Sequence, residues 1–229
     1  MGRDVTMRLT APFLQQTLSE DDPWSIGNQV LYDLCQRYPR HTVDSEIIAK
    51  IWLIGRAYSA SIERGRGKAA DSGLSNDRFY AEAVPKALRA SRLDEKLGAL
   101  AKLKETKESN VGPVLDAHTH LVHVFQGLTN KSKRSLASKY LHFHRPDLFF
   151  IYDSRAVQGI RALGIPARAL DVPPSADREY ARFVGAAIGV REYVRSELRR
   201  RLSPRELDRL LLVTAASRTR AKPARAGED

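Results

Sequence analysis

A chain of 229 residues is long enough for one large or two small domains with a substantial core. Its 38 Lys and Arg against 27 Asp and Glu leave a formal charge of +11 and a pI near 9.9, more than solubility requires and suited to a polyanionic partner. Cys35 is the only cysteine, which excludes an internal disulfide, a four-cysteine iron–sulfur cluster and a cysteine-based zinc site.

No apolar run approaches the length of a bilayer span, and no helical stretch sets a Lys/Arg-rich face against a broad Phe/Leu/Trp face. Nucleic acid, rather than a membrane surface, is therefore the expected partner. The opening MGRDVTMRLTAPFLQQ lacks the apolar core of a secretory signal, so a cytoplasmic location is expected.

In chain order, Trp24, Ile26, Val30, Leu31, Leu34 and Cys35 fall at helical spacing over residues 24–38, and Pro39 stops the run. Asp44 is placed to cap a second helix whose Ile47, Ile48, Ile51, Trp52, Ile54, Tyr58 and Ile62 form a wide apolar stripe, the best central core element in the chain. Residues 63–77, ERGRGKAADSGLSND, read as a surface loop with Arg64, Arg66 and Lys68 at its head. The spacing is not that of a P-loop, and no strand precedes it.

Residues 79–90 are expected as a helix that bends or breaks at Pro85, and residues 93–105 as a second amphipathic one. Pro113 suits the first turn of a helix over residues 114–128. Residues 132–144 form the next helix, with Leu136, Tyr140 and Phe143 inward, followed by a strand-like apolar run at 148–152 and a short helix over 153–163. A proline-rich loop, a long helix over 177–201 and a capped helix over 205–216 complete the pattern, with Ser203, Pro204 and Glu206 giving the last a capping-box start. The expectation is an all-α protein of about eight to ten helices, a single compact or two-lobed domain over residues 1–216, with a basic, disordered tail at 217–229.

Five of the six histidines lie between residues 118 and 144, and VLDAHTHLV resembles the metal-binding D-x-H-x-H of amidohydrolase barrels. About half the chain precedes this motif and the remainder is too short and helical for a barrel. On a helix, His118 and His120 diverge by about 200°, as do His142 and His144, so neither pair can share an ion. No metal and no cofactor is implied.

Chemistry concentrates in residues 131–155, KSKRSLASKYLHFHRPDLFFIYDSR. Lys131, Lys133, Arg134, Lys139 and Arg145 meet no acid until Asp147, and Asp153 stands where a helix opens. A helix start with free N–H groups and nearby lysines suits a DNA phosphate, and Asp153 suits an N-cap.

S-L-A-S-K-Y-L-H-F-H, Pro146 and then F-x-I-Y-D-S-R-A resemble the segment of the helix-hairpin-helix DNA glycosylase superfamily that grips the DNA backbone and leads to an aspartate opening the next helix. The S-K-x-x-x-F of Ser138, Lys139 and Phe143 is most similar to the archaeal 8-oxoguanine glycosylases. The resemblance covers residues 132–156. The L-P-G-x-G hairpin signature is absent, with GLTNKS at residues 127–132 in its place, and Arg134 or Ser135 is an alternative occupant of the lysine position.

The resemblance implies an all-helical DNA N-glycosylase that flips a damaged or modified base from double-stranded DNA and leaves an abasic site, in repair or antiviral defence. Asp153 and Lys139 would be catalytic. A carboxylate beside the deoxyribose stabilises oxocarbenium charge, and a neutral lysine attacking C1′ adds AP-lyase activity. Lys131, Lys133, Arg134, Ser138 and Arg155, with the loop at Gly65, would hold the DNA backbone. Trp52, Tyr58, Tyr140, His142 and His144 would line the base pocket. The alternative is a non-catalytic helical nucleic-acid-binding protein in which Asp153 only caps. No obligate protein partner is evident.

Overall fold

A computed structural model describes residues 9–19, 22–64 and 75–221. The described residues are all-helical and contain no strand. The helices are α1 (Ala11–Ser19), α2 (Ser25–Arg37), α3 (Asp44–Ala57), α4 (Asn76–Arg78), α5 (Val84–Ala90), α6 (Leu93–Ala99), α7 (Val111–Thr129), α8 (Arg134–His144), α9 (Ser154–Leu163), α10 (Arg178–Glu197) and α11 (Pro204–Ala221). Gly65, Arg66 and Lys68 of the basic glycine loop, and residues 222–229 of the tail, lie outside the described residues.

Two apolar cores share one scaffold. The first gathers Leu31, Ile47, Ile51, Ile54, Val84, Leu88, Leu121, Phe125, Tyr140 and Phe143 from α2, α3 and α5 to α8. The second gathers Leu14, Ala156, Leu163, Tyr180, Val184, Ile188, Leu207 and Leu211 from α1 and α9 to α11. Helix α7 serves both, because Val114, Ala117 and Leu121 face the first core while Val111 and Leu115 face the second. Phe149 and Phe150, adjacent in the chain, also enter different cores. Each fully buried Phe contributes about 2 kcal/mol of apolar transfer, so this junction fastens the two halves together.

Residues 148–151 are buried and belong to no sheet, and side chains take the place of a partner strand. Thr106 Oγ1 donates to Leu148 O at 2.7 Å, His142 Nδ1 to Phe149 O at 2.9 Å and Tyr180 OH to Phe150 O at 3.0 Å. Ser138 Oγ accepts from Tyr152 N at 3.0 Å. The apolar run expected to be strand-like is therefore not a strand.

Several boundaries differ from the sequence expectation. Helix α3 starts at Asp44 itself, with Val43 as the N-cap, and the Asp44 carboxylate pairs with Arg89 instead of capping. The helix around Pro85 continues through a π turn, Phe79–Ala83, in which Val84 N bonds to Phe79 O; the wider turn accommodates the proline ring. Helix α6 ends at Ala99 because Arg145 takes the carbonyls of Leu97, Leu100 and Leu103. Arg199 adopts a left-handed conformation, φ 53°, just beyond α10. Helix α11 runs on to Ala221, so the start of the expected disordered tail is helical. Helix α1, which has too few apolar positions to stand out in sequence, packs against α11.

Glycine sets one close approach. A Cβ on Gly159 of α9 would lie 2.2 Å from the carbonyl oxygen of Leu211 on α11, so these two helices meet backbone to backbone.

Candidate active site

A cleft of about 1010 Å³ opens between the two cores, lined by α2, the end of α3, α8, residues 152–155 and α11. Lys139 projects from the middle of α8 and Asp153 stands at the N-cap of α9. Lys139 Nζ lies 3.2 Å from Asp153 Oδ2, with the lysine side chain 4% and the aspartate side chain 26% exposed. The ammonium also donates to Ser135 Oγ at 3.1 Å and to Tyr58 O at 3.4 Å. Asp153 Oδ1 accepts from Ala156 N at 2.9 Å, closing the first turn of α9.

The sequence brings these groups together through two devices. On α8, Leu136, Tyr140 and Phe143 are buried in the first core, and Lys139 on the adjoining face reaches the cleft. Ser138, one residue earlier, fixes the backbone of Tyr152 and so sets where Asp153 emerges.

A second polar group adjoins the pair. Arg205 Nη1 donates to Tyr58 OH at 2.7 Å and to Asp208 Oδ2 at 3.3 Å, and Tyr58 OH donates to Asn28 Oδ1 at 2.7 Å. The Tyr58 ring lies between two cations, Lys139 Nζ 5.6 Å and Arg205 Cζ 5.7 Å from its centroid. Burial pushes the Tyr58 hydroxyl well above the ordinary phenol range, so it keeps its proton. Burial, with the charge of Asp153 adding to it, pushes the Asp208 carboxyl up to about 7. Asp208 Oδ1 and Asn28 Nδ2 are both buried with no hydrogen-bond partner.

Trp24 is 74% and Val30 55% exposed where they line the cleft mouth, and Ile26 nearby is 80% exposed. These positions, expected on the buried stripe of the first long helix, form an apolar rim instead; Leu31 and Cys35 are the ones that enter the core.

Of the five residues expected to line a base pocket, Tyr58 lines the cleft. Tyr140 is fully buried and accepts or donates through its hydroxyl to His41 Nε2 at 2.7 Å, while His41 Nδ1 engages Asp94. His142 is spent holding Phe149 O and meeting Tyr32 OH at 2.7 Å, and burial lowers it to about 4. His144 is buried against His41 and Tyr140 and held well below the ordinary imidazole range by that burial. Trp52 is 45% exposed on α3 and is not part of the cleft wall. On α8 the helical period turns Tyr140, His142 and His144 away from Lys139.

The expected backbone-gripping residues divide in the same way. Lys131 is exposed at the α7–α8 turn, and Arg155 is exposed on the cleft wall. Lys133 gives its ammonium to the carbonyl of Arg64, and Arg134 makes ion pairs with Asp177 and Glu179. Ser138 is fully buried, so its hydroxyl serves Tyr152 and not a phosphate. Proximity in sequence overstated the basic patch, since a carbonyl and two acids distant in the chain engage Lys133 and Arg134.

The histidine-rich stretch of α7 has packing roles: His118 stacks on Tyr180 at 3.6 Å and His120 Nε2 meets Ser91 O. Among the described residues, no group of three or more His, Cys, Asp or Glu is arranged to hold a metal ion. No helix of the described residues is long and apolar enough to cross a membrane.

Asn28, Arg205 and Asp208 were not anticipated. Arg205 contacts Tyr58 across 147 residues of chain, and nothing local marks it; the one available signal was an asparagine on the buried face of an otherwise apolar stripe. No family model, no curated protein and no solved structure matches this chain.

Proposed function

We propose that the protein is a DNA N-glycosylase acting on a damaged or modified base through Asp153 and Lys139. The observation that carries this is the 3.2 Å Lys139–Asp153 pair in a cleft large enough for an everted nucleotide. The similarity of residues 132–156 to the helix-hairpin-helix glycosylases supports the same assignment. Cleavage of the N-glycosidic bond develops positive charge on the deoxyribose, and the Asp153 carboxylate stabilises it.

For Lys139 to attack C1′ it must first lose a proton, and Asp153 is close enough to accept it. The amine then bonds to C1′ as the base departs with the bond's electron pair and takes the proton held by Asp153, which restores the carboxylate beside the sugar. Exposed Arg155 and Lys131 hold phosphates, and Trp24 with Val30 offers an apolar surface to the bases at the mouth.

Incubation with unmodified, damaged and phage-type modified duplexes, followed by alkali, tests the proposal. Base release is expected from at least one modified duplex, and strand breaks without alkali identify an amine nucleophile. Binding without release from any duplex overturns the catalytic assignment in favour of a nucleic-acid-binding protein.

A further inference from the structure

Only 7% of Asn28 is exposed, yet it lines the cleft. Its orientation follows from donor bookkeeping. Arg205 can only donate, so the 2.7 Å contact from Arg205 Nη1 occupies a lone pair of the Tyr58 oxygen. The single Tyr58 hydroxyl proton is then free for Asn28 at 2.7 Å, and the atom receiving it must be the amide oxygen. The amide nitrogen is thereby turned away from Tyr58, and it has no partner.

Asp208 fixes the direction of the whole relay from its far end, through the second hydrogen of Arg205 Nη1 at 3.3 Å. A buried donor left unmatched costs stability unless something accepts from it. Asn28 is among the residues that line the cleft, where an acceptor on a bound base would sit.

From this relay we infer that Asn28 is a specificity-determining residue that reads a carbonyl oxygen on the excised base, selecting oxo-purines and oxo-pyrimidines over their amino counterparts. The inference rests on the glycosylase assignment and sharpens its substrate class. An exocyclic amine at the same place would set donor against donor, and the desolvated Asn28 amide could not turn over without breaking its bond to Tyr58. Lys139 and Asp153 act at the sugar, whereas Asn28 acts at the base edge.

The test uses the full chain and matched bases differing at one exocyclic position, hypoxanthine against adenine and uracil against cytosine, with 8-oxoguanine as a further oxo-purine. Each is placed opposite a tetrahydrofuran abasic site so that base pairing does not enter. The wild type is expected to release the oxo member of a pair at least about tenfold faster, the rate worth of one satisfied hydrogen bond. Asn28→Asp keeps an oxygen for Tyr58 and replaces the donor with an acceptor, so that ratio is expected to collapse or reverse.

Equal release of both members by the wild type overturns the inference and leaves the glycosylase assignment standing; this arm needs no variant to fold. An unchanged ratio in a folded Asn28→Asp protein overturns it equally. No release of any base in this panel overturns the inference, while the glycosylase assignment is decided separately by the wider set of damaged and phage-type modified duplexes.

Discussion

Asp153 divides its carboxylate between two neighbours: Oδ1 closes the first turn of α9 while Oδ2 faces Lys139 at 3.2 Å. The cap and the proposed chemistry use different oxygens, so substitution can separate them. Asparagine caps about as well as aspartate, and Asp153→Asn is expected to retain the fold with a stability loss under about 1 kcal/mol while abolishing base release. Asp153→Ala loses both, costing about a further 1 kcal/mol. Thermal unfolding beside a base-release assay separates the two; an active Asp153→Asn enzyme would leave Asp153 as a cap alone.

Ser138 acts on the site from behind. Its hydroxyl is the acceptor for Tyr152 N, and Ser138→Ala leaves that N–H without a partner in a buried setting. The expected cost is about 1–3 kcal/mol, with a lower rate of base release and little change in DNA affinity, because Asp153 loses its positional support while exposed phosphate contacts remain. Denaturant titration and single-turnover kinetics check this.

Gly159 is expected to tolerate no side chain. Its missing Cβ leaves room for the Leu211 carbonyl, and since that obstacle is backbone, Gly159→Ala must push α11 from α9. Overpacking of this kind costs about 1–3 kcal/mol. Arg205 and Asp208 ride on α11 and Asp153 on α9, so base release should fall more than global stability suggests. A Gly159→Ala protein with wild-type midpoint and rate would contradict the close approach.

The response to pH has two opposed parts. His41 and His142 are lowered by burial to about 4, so the stability they contribute is present above the ordinary imidazole value and is lost as pH falls from about 6.5 toward 4. Asp208 is raised by burial to about 7, so its contribution is complete below the ordinary aspartate value and is lost as pH rises toward 7. The buried histidines are more numerous, and the wild type is expected to lose stability on acidification across this window. Asp208→Asn removes the compensating part: relative to the wild type its melting temperature should improve steadily from pH 4 to pH 7. A constant difference between the two melting curves would refute the assignment to Asp208.

Most helices were legible because their apolar positions recur at helical spacing; α1 was not, and Val111, which takes α7 into the second core, lay outside the range expected for that helix. Lys139 and Asp153 could be singled out from local pattern, since α8 and the turn after it are contiguous in sequence. Charge was less readable. Lys133 and Arg134 looked available until their partners at Arg64, Asp177 and Glu179 were in view, and such partners have no local signature. His142 likewise looked like a pocket residue because sequence does not tell a ring that faces a ligand from one that holds a backbone carbonyl. The Asn28–Tyr58–Arg205–Asp208 relay joins α2, the end of α3 and α11, and it exists only once both cores have formed.

The apolar run at 148–152 limits how the chain can vary. Four of its peptide groups are matched to different side chains, the carbonyls of Leu148, Phe149 and Phe150 to Thr106, His142 and Tyr180 and the N–H of Tyr152 to Ser138, so it works as a ruler with unequal graduations. A sheet strand can slip by two residues and recover equivalent partners; this segment cannot slip at all. One inserted residue here would mismatch every mark and carry Asp153 about 3.3 Å along the chain, the distance that separates contact with Lys139 from its loss.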